Sequence, residues 1–422
     1  MSEKELQYIW ENRLFESLSL GTEQVEVIAT GKHNHTDGPD FTQACLRWGG
    51  ITWHGDIELH LNTADWYAHK HQHDPNYNNI ILHITPNSNP PCVTAANGRE
   101  IPTAQLLIPN NIAVRMQELS VSKKALRCSP EIQQLPAIYR RNILDRLLVE
   151  RWQHKLQQVA LQAPGDPIQH LLYQLLLRYL GAHRNNNAME QVARSLPIEH
   201  LNRHADNLTA LEAMLLGQAG ALTETPRDEY EALLLAEYKF YKNKFGLTPI
   251  PPNLFKYLRV RPATHPSRML AIAATLIHHK NDWLNALLTA NLNTLQTHLQ
   301  RPPSPYWLTH YDLAHPSARK LQGLGPDSIR SLIINALLPT AYIYHQERGN
   351  HNAAQNVIEQ LQSLAPEKNS IGTLFANEGL AAHDAGESQA LLHLYNHYCS
   401  TFRCLYCPIC PVLLQQLRKN KT

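Results

Sequence analysis

Two carboxylates and an imidazole recur at alternate positions in the first quarter of the chain. In the segment GDIELH they are Asp56, Glu58 and His60. Successive side chains of a β-strand point to opposite faces, so a strand here would direct all three the same way. Carboxylate oxygens are the ligands that Mg²⁺ and Mn²⁺ prefer, and the pattern therefore predicts a divalent-metal site.

A third acidic residue, Asp40, follows Pro39 immediately before another predicted strand. We expect Asp40, Asp56 and Glu58 to converge on one Mg²⁺ or Mn²⁺ ion. Such an ion activates a water molecule and stabilises charge on phosphate oxygens, as phosphodiester hydrolysis requires. His60 would then orient or deprotonate that water. The alternative is that these polar residues form only the solvated face of an edge strand.

A group of histidines offers a second kind of metal chemistry. The segment HKHQHD carries His69, His71 and His73, and imidazoles bind zinc, iron or manganese. A helix would place only His69 and His73 on one face. His83, on a later predicted strand, is expected to approach the same cleft. The alternative interpretation is a set of surface residues on a short helix.

Cysteines are crowded near the C-terminus, at Cys399, Cys404, Cys407 and Cys410. Two CxxC steps that share Cys407 are typical of a metal site, and they suit Zn²⁺ or a [4Fe–4S] cluster equally well. The fourth ligand is open, because Cys128 could replace Cys410 if the two regions meet. Buried free thiols in a final helix are the alternative.

The elements that must position these residues are read from hydrophobic periodicity and turn residues. Residues 3–17 predict an amphipathic helix, whose polar face carries Glu11 as a weaker acidic candidate. Glycine, proline and asparagine mark the turns between predicted strands. The strands are predicted at 25–27, 41–48, 51–61 and 79–85, with hairpin turns at 49–50 and around 97–98.

From about residue 111 the apolar residues recur at three- and four-residue spacing, which predicts a large all-α domain. The chain is thus expected to be α+β, with an α/β core over 1–110 and a helical domain over 111–422. Proline-rich breaks occur at 249–252 and 302–305. Three arginines in this half would contact phosphates or, as we expect, cap helices and pair with acids: Arg259, Arg261 and Arg268.

The overall charge excludes a global basic field, since 38 basic and 36 acidic residues leave a formal charge of +2. Any nucleic-acid binding must then use local patches. The N-terminus lacks the basic and apolar regions of a signal peptide, and no apolar run approaches the roughly 18 residues of a membrane helix. We expect a cytoplasmic protein that does not enter membranes.

The order helix, three strands, helix, strand resembles the minimal core of the PD-(D/E)XK nucleases, a restriction-endonuclease-like fold. Pro39 and Asp40 match the first half of the signature, and Glu58-Leu59-His60 matches the second with histidine in place of lysine. If the second half is matched instead to Asp56-Ile57-Glu58, glutamate occupies the position of the lysine. The resemblance implies a metal-dependent nuclease with DNA or RNA as its partner.

The segments IWENRLF, GKHNHTDGPDF, GDIELHL, DWYAHKHQHDPNYNNIILHI, LRVRP and YCSTFRCLYC resemble a bacterial family known only as domain of unknown function 2851. This resemblance implies no activity. The pairing of Cys128 with the distant C-terminal cysteines resembles the iron–sulfur nucleases of the RecB exonuclease kind, in which cysteines far apart in sequence hold one cluster.

Three functional hypotheses follow from the sequence. The first is a nuclease with Asp40, Asp56 and Glu58 as metal ligands and His60 acting on the water. The second is an inert nucleic-acid-binding or scaffold protein that keeps the nuclease-like fold. The third is a histidine-metal enzyme centred on the group His69, His71 and His73.

Overall fold

The computed structural model of the 422-residue chain describes residues 1–34, 36–87, 91–129, 131–160 and 167–419. Strands are concentrated in the first 107 residues, where the sequence predicted them. Their bounds are β1 Ser17–Leu20, β2 Glu23–Gln24, β3 Glu26–Ala29, β4 Lys32–His33, β5 Phe41–Trp48, β6 Ile51–Leu59, β7 Ile80–Thr85, β8 Cys92–Thr94, β9 Glu100–Leu107, β10 His310–Asp312 and β11 His315–Pro316.

Helices dominate after the last strand of the N-terminal sheet, as predicted. The α-helices are α1 Glu3–Glu11, α2 Asp65–Ala68, α3 Asn110–Val121, α4 Ala137–Ala160, α5 Pro167–Leu180, α6 Ala182–Ser195, α7 Ile198–Asn202, α8 Leu208–Gln218, α9 Glu229–Phe245, α10 Pro266–His278, α11 Lys280–Leu288, α12 Leu292–Leu299, α13 Pro326–Leu332, α14 Leu338–Glu347, α15 His351–Gln362, α16 Ser370–Asn377, α17 Ala385–Leu394 and α18 Cys410–Lys419. Short 3₁₀ helices span His71–His73, Pro75–Asn79, Glu131–Gln134, Pro252–Leu254, Pro262–Thr264, Pro305–Leu308 and Cys404–Tyr406, and π-helical turns span Ile333–Leu337 and Tyr395–Cys399.

The N-terminal sheet has the order β2-β1-β9-β7-β6-β5-β3, with β4 paired to β5 and β8 paired to β9. Strands β3, β5 and β6 form antiparallel pairs, whereas β6, β7 and β9 run parallel to one another. A parallel pair needs a crossover, and α2 with its following turns supplies the one from β6 to β7. The element order α1, strands, α2, β7 therefore agrees with the predicted order, with additional short strands.

Burial along β6 differs from the predicted alternation of an apolar and a polar face. Ile51 and Trp53 are exposed at the start of the strand, whereas Ile57, Glu58 and Leu59 are all buried near its end. The reason lies in the pairing: β5 accompanies nearly the whole strand, but β7 joins only from Asp56 onward. The second half of β6 is thus paired along both edges and lies inside the sheet.

Gly55 allows β7 to approach β6 closely where the pairing begins. A Cβ atom at this position would lie 2.8 Å from the carbonyl oxygen of Asn79 and would also collide with the side chain of Ile81. Close backbone approach is a common reason for glycine inside a strand. Gly49 and Gly50, both at positive φ, form the predicted hairpin turn between β5 and β6.

The chain divides into two compact units. The sheet unit comprises Met1–Leu144, Asn369–Ala381 and Leu391–Thr422, and the helical unit comprises Asp145–Lys368 and Ala382–Ala390. The predicted change from strands to helices near residue 110 is present, since β9 ends at Leu107 and α3 begins at Asn110. The compact sheet unit nevertheless extends beyond that boundary and includes the C-terminal cysteines.

In the helical unit, Arg268 lies in the core with 1% of its surface exposed. Its guanidinium donates hydrogen bonds to the carbonyls of Ala263, Trp307 and Gln322. This supports the structural interpretation of Arg268 over a phosphate contact, whereas Arg259 and Arg261 are exposed. Among the described helices, none combines the length and apolarity needed to cross a membrane.

Candidate metal centre

The candidate centre forms where β6 ends beside α2. Glu58 is buried in β6 and His60 follows the strand directly, whereas His69 and His71 come from the turn after α2. Lys70 separates these two histidines and has a left-handed φ of 64°. Such a conformation costs a non-glycine residue roughly 1 kcal/mol, and it reverses the chain so that His71 turns inward.

The ligand atoms of this group approach one another closely. His60 Nε2 lies 3.1 Å from His69 Nδ1 and 3.6 Å from Glu58 Oε1, and His71 Nε2 lies 3.4 Å from the same Glu58 oxygen. Within the described part of the chain, His60, His69 and His71 are the group of potential ligands whose nitrogens all lie within 4.8 Å of one another. Ligands of a tetrahedral ion with bonds of about 2.0 Å are separated by about 3.3 Å, so the three imidazoles fit such an ion, whereas Glu58 contacts two of them without belonging to that close group.

His71 provides a second sign of a ligand position. Its Nε2 is buried and has no hydrogen-bond partner among the described residues, although it faces Glu58. The ring stacks on Tyr77 with centroids 3.9 Å apart, and this contact fixes its orientation. A buried polar atom without a partner costs roughly 1–3 kcal/mol, and a bound cation would remove that cost.

A chain of contacts behind His60 orients its ring. His60 Nδ1 lies 2.9 Å from His83 Nε2, and His83 Nδ1 lies 3.1 Å from Thr103 Oγ1. Protons on both Nδ1 atoms satisfy these contacts and leave the Nε2 of His60 with a lone pair toward Glu58, His69 and His71. Such outer contacts are what normally orient a metal-binding histidine.

Burial controls the protonation of the group. It lowers the pKa of His60 to about 2, of His83 to about 3 and of His71 to about 4, with neighbouring imidazoles adding to each shift. It also raises the pKa of Glu58 to about 9, and the nearby Asp40 carboxylate adds to that rise. The imidazoles of His60, His71 and His83 are therefore neutral at physiological pH, and a neutral imidazole is the form that binds metals.

Asp40 lies against Glu58, as the sequence predicted. Its backbone N–H donates to Glu58 Oε2 at 2.9 Å, and its own carboxylate accepts from the backbone N–H of Leu59 at 3.1 Å. Gln7 of α1 donates to the same carboxylate at 2.7 Å. Burial raises the pKa of Asp40, and the hydrogen bonds from Gln7 and Leu59 oppose that rise. Asp40, Glu58 and His60 are thus neighbours.

Asp56 is placed apart from this group. Its carboxylate accepts hydrogen bonds from the backbone N–H of Gln43 at 3.2 Å and from the side chain of Asn79 at 3.0 Å. The described carboxylates of Asp40, Asp56 and Glu58 do not form a group with oxygens within 4.8 Å of one another. Register shifts in both ladders beside Asp56, together with a φ of 59° at Gln43, interrupt the alternation that placed Asp56 with Glu58.

Two other sequence candidates also differ from their expected places. His73 is exposed and does not belong to the close histidine group, because the chain reverses at Lys70 and directs His71 inward. Glu11 is exposed and pairs with His33 at 3.7 Å. The acid of α1 that acts electrostatically on Glu58 is Glu3.

Sequence reasoning missed Gln7 and Thr103, which hold Asp40 and His83 in place. Gln7 follows Glu3 by four residues, and in a helix this spacing places the two side chains on one face. That spacing was the sequence signal for Gln7. Thr103 carried no local signal. Its contact depends on the parallel pairing of β7 with β9, in which His83 is directly opposite Thr103.

The predicted cysteine site is brought together by the fold of the sheet unit. One cavity is lined by all five candidates, together with Leu119, Arg127 and Tyr398: Cys128, Cys399, Cys404, Cys407 and Cys410. Cys407 and Cys410 are buried, and the other three are partly exposed. Cys128, which the sequence offered as an alternative fourth ligand, is thus beside the C-terminal cysteines.

Comparisons with known proteins place the chain in a family without assigning a function. Residues 3–370 match the sequence model of a family described as a protein of unknown function (DUF2851), so the match ends before the cysteine-rich tail. No curated protein and no solved structure matches the chain. Because the matched segment covers most of the 422 residues, the chain belongs to the DUF2851 family.

Proposed function

We propose that this protein is a metal-dependent hydrolase that cleaves phosphodiester bonds in DNA or RNA. Its metal ion is held by Glu58, His60, His69 and His71. The observation that carries the proposal is the approach of one Glu58 oxygen to two imidazole nitrogens, at 3.4 and 3.6 Å, directly beside Asp40. The proposal joins the nuclease and histidine-metal hypotheses in one site.

The assignment to phosphodiester hydrolysis is supported by the order of elements around the site. Asp40 precedes β5 after Pro39, Glu58 lies near the end of β6 and His60 follows that strand directly, an arrangement that resembles the PD-(D/E)XK signature. The order of helices and strands around them also resembles that of the nuclease core. The site therefore combines three segments: the residues before β5, the end of β6 and the turn after α2. They meet at the carboxyl groups of Asp40 and Glu58.

The donor set favours a transition metal over Mg²⁺. Three imidazoles and one carboxylate suit Zn²⁺, Mn²⁺ or Fe²⁺, whereas Mg²⁺ prefers oxygen ligands and octahedral geometry. When bound, the ion would supply an activated water and neutralise charge on the phosphate. A histidine at the position where the PD-(D/E)XK signature has lysine is consistent with a transition metal, because an imidazole nitrogen binds such metals.

Each neighbouring residue has a defined role in this proposal. Asp40 accepts a proton or a hydrogen bond beside the ligands, and Gln7 holds the Asp40 carboxylate in position. Trp66 packs edge-on against His60 and His71 and keeps water from the inner side of the site. His69 is exposed, so the substrate phosphate must enter from its side.

The proposal is tested with metal-free protein supplied separately with Mn²⁺, Zn²⁺, Fe²⁺ or Mg²⁺ and labelled single- and double-stranded DNA and RNA. We expect cleavage with at least one transition metal, and a loss of at least about 100-fold in Glu58→Gln and His71→Ala. His73→Ala is the matched control, since His73 is exposed on the same turn and should retain cleavage.

Metal content separates the possible failures. Stoichiometric metal lost in His71→Ala, without cleavage of any nucleic acid, would overturn the nuclease assignment and favour another histidine-metal enzyme. Binding of nucleic acid without metal or cleavage would favour the inert binding protein. Cleavage that survives both Glu58→Gln and His71→Ala would overturn the site itself.

A further inference from the structure

The cavity of cysteines in the sheet unit presents five sulfur atoms from two distant parts of the chain. Cys128 precedes the 3₁₀ helix Glu131–Gln134, and the other four lie between the turn ending at Cys399 and the first residue of α18. The backbone N–H of Cys407 donates to the carbonyl of Cys404, and that of Cys410 donates to Cys407. Two consecutive turns thus direct their sulfurs to one space.

The separation of the sulfurs argues against zinc. Four thiolates around one zinc ion lie about 3.8 Å apart, because each Zn–S bond is about 2.3 Å long. Among the described cysteines, no three sulfurs lie within 4.8 Å of one another, although all five side chains line the same cavity. In a [4Fe–4S] cluster each thiolate binds a different iron atom, so its ligands are held farther apart.

Arg127 supplies an independent sign of a bound group. It lines the cavity, and its Nε is buried without a hydrogen-bond partner among the described residues. The rest of its guanidinium is held in place by a hydrogen bond to the Leu119 carbonyl at 2.7 Å and by the Phe402 ring, 4.1 Å away. An anionic sulfide or thiolate of a cluster would accept the remaining Nε–H.

The local charge also suits an anionic cluster. Arg127 lines the cavity and supplies a positive charge beside the sulfurs. Cys404 and Cys407 are the two middle cysteines of the C-terminal segment and are joined by a backbone hydrogen bond, whereas Cys399 and Cys410 flank them and Cys128 comes from the other segment. A cluster bound by both segments is therefore expected to use Cys128 and this middle pair.

We propose that this cavity holds a [4Fe–4S] cluster ligated by Cys128, Cys404 and Cys407, together with either Cys399 or Cys410. The cluster ties the segment after α3 to the C-terminal segment of the same unit. Its role is structural, and it does not depend on the proposed nuclease activity.

The test begins with the full-length protein purified without oxygen and reconstituted with ferrous iron and sulfide. We expect about four iron atoms and four acid-labile sulfides per chain, with the broad visible absorption of a cubane cluster. One zinc ion per chain, without labile sulfide before or after reconstitution, would overturn the proposal. Iron and sulfide should be unchanged in Glu58→Gln, which separates this result from the candidate metal centre.

Single serine variants identify the ligands. Cys128→Ser and Cys407→Ser should reduce bound iron and sulfide to about a tenth or less, whereas Cys45→Ser and Cys92→Ser, in the sheet, should retain them. At least one of Cys399→Ser and Cys410→Ser should keep the cluster, and the double variant should lose it. A full cluster in Cys128→Ser or in the double variant would overturn the ligand assignment, and circular dichroism checks that each variant folds.

Discussion

His83 Nε2 lies 2.9 Å from His60 Nδ1, so a buried histidine of β7 supports the ring of a candidate metal ligand. The second nitrogen of His83 contacts Thr103 in β9 at 3.1 Å, which extends the support across a third strand. None of these outer contacts involves the histidines of the turn after α2. The sheet therefore orients the Nδ1 side of the His60 ring, whereas stacking on Tyr77 orients the His71 ring.

Removal of the support behind His60 should weaken metal binding without removing a ligand. We expect His83→Leu to reduce affinity for the preferred transition metal by about 10- to 100-fold, because the His60 ring loses its fixed tautomer and orientation. Thr103→Val should have a smaller effect in the same direction. Metal titration of each folded variant measures the change.

His54→Ala is the control for this prediction, since His54 lies on β6 but is exposed. Its metal affinity should equal that of the unmodified protein. An unchanged affinity in folded His83→Leu would show that His60 does not depend on His83.

Asp56 should matter for stability more than for metal binding. Asp56→Ala removes the acceptor for Gln43 and Asn79, and we expect a loss of about 1 kcal/mol in the free energy of unfolding. Metal affinity should remain within about threefold of the unmodified value, because no proposed ligand contacts Asp56. Urea denaturation measures the change in stability, and metal titration of the same variant measures the affinity. A loss of metal affinity comparable to that of Glu58→Gln would show that Asp56 is a ligand.

The parts of the site that the sequence predicted depend on local patterns. Alternation placed Glu58 with His60, and the Pro39-Asp40 pair before a strand placed Asp40 beside them. Alternation failed for Asp56 because the strand pairing shifts register there, and such a bulge has no reliable signal in the residues themselves.

The turn after α2 required the structure. A helix through the histidines would join His69 to His73, whereas the left-handed conformation of Lys70 joins His69 to His71. Lysine gives no indication of a positive φ, because glycine and asparagine are the usual residues there. The meeting of Cys128 with the C-terminal cysteines was left open for another reason: spacing along the chain does not determine contacts between distant segments.

The helical unit contains a carboxylate whose titration should make stability depend on pH. Burial alone would raise the pKa of Glu231, but hydrogen bonds from Arg227 and Thr223 lower it to about 2. A carboxylate whose pKa is lower in the folded than in the unfolded protein stabilises the folded state at pH values above its unfolded pKa of about 4.3. This contribution is lost as the pH falls from about 5 toward 2.

We therefore expect Glu231→Gln to lower the free energy of unfolding by about 2 kcal/mol at pH 7. The difference from the unmodified protein should shrink as the pH falls below about 4. Urea denaturation at pH 7, 5 and 3 measures it. Glu229→Gln, in the same first turn but exposed, is the matched control and should have little effect at any pH. A Glu231→Gln difference that stays constant across this range would contradict the assigned ionisation.

Arg268 should be required for the stability of the helical unit and not for binding nucleic acid. Arg268→Ala leaves the carbonyls of Ala263, Trp307 and Gln322 without their donor, and that of Trp307 is buried, so we expect a loss of about 3 kcal/mol in the free energy of unfolding. Arg268→Lys should recover only part of it, because an ammonium group cannot reproduce the planar set of donors. The exposed Arg261 is the control, and Arg261→Ala should change stability by less than about 0.5 kcal/mol. Nucleic-acid affinity that falls in folded Arg268→Lys while stability is retained would instead support the phosphate-contact interpretation.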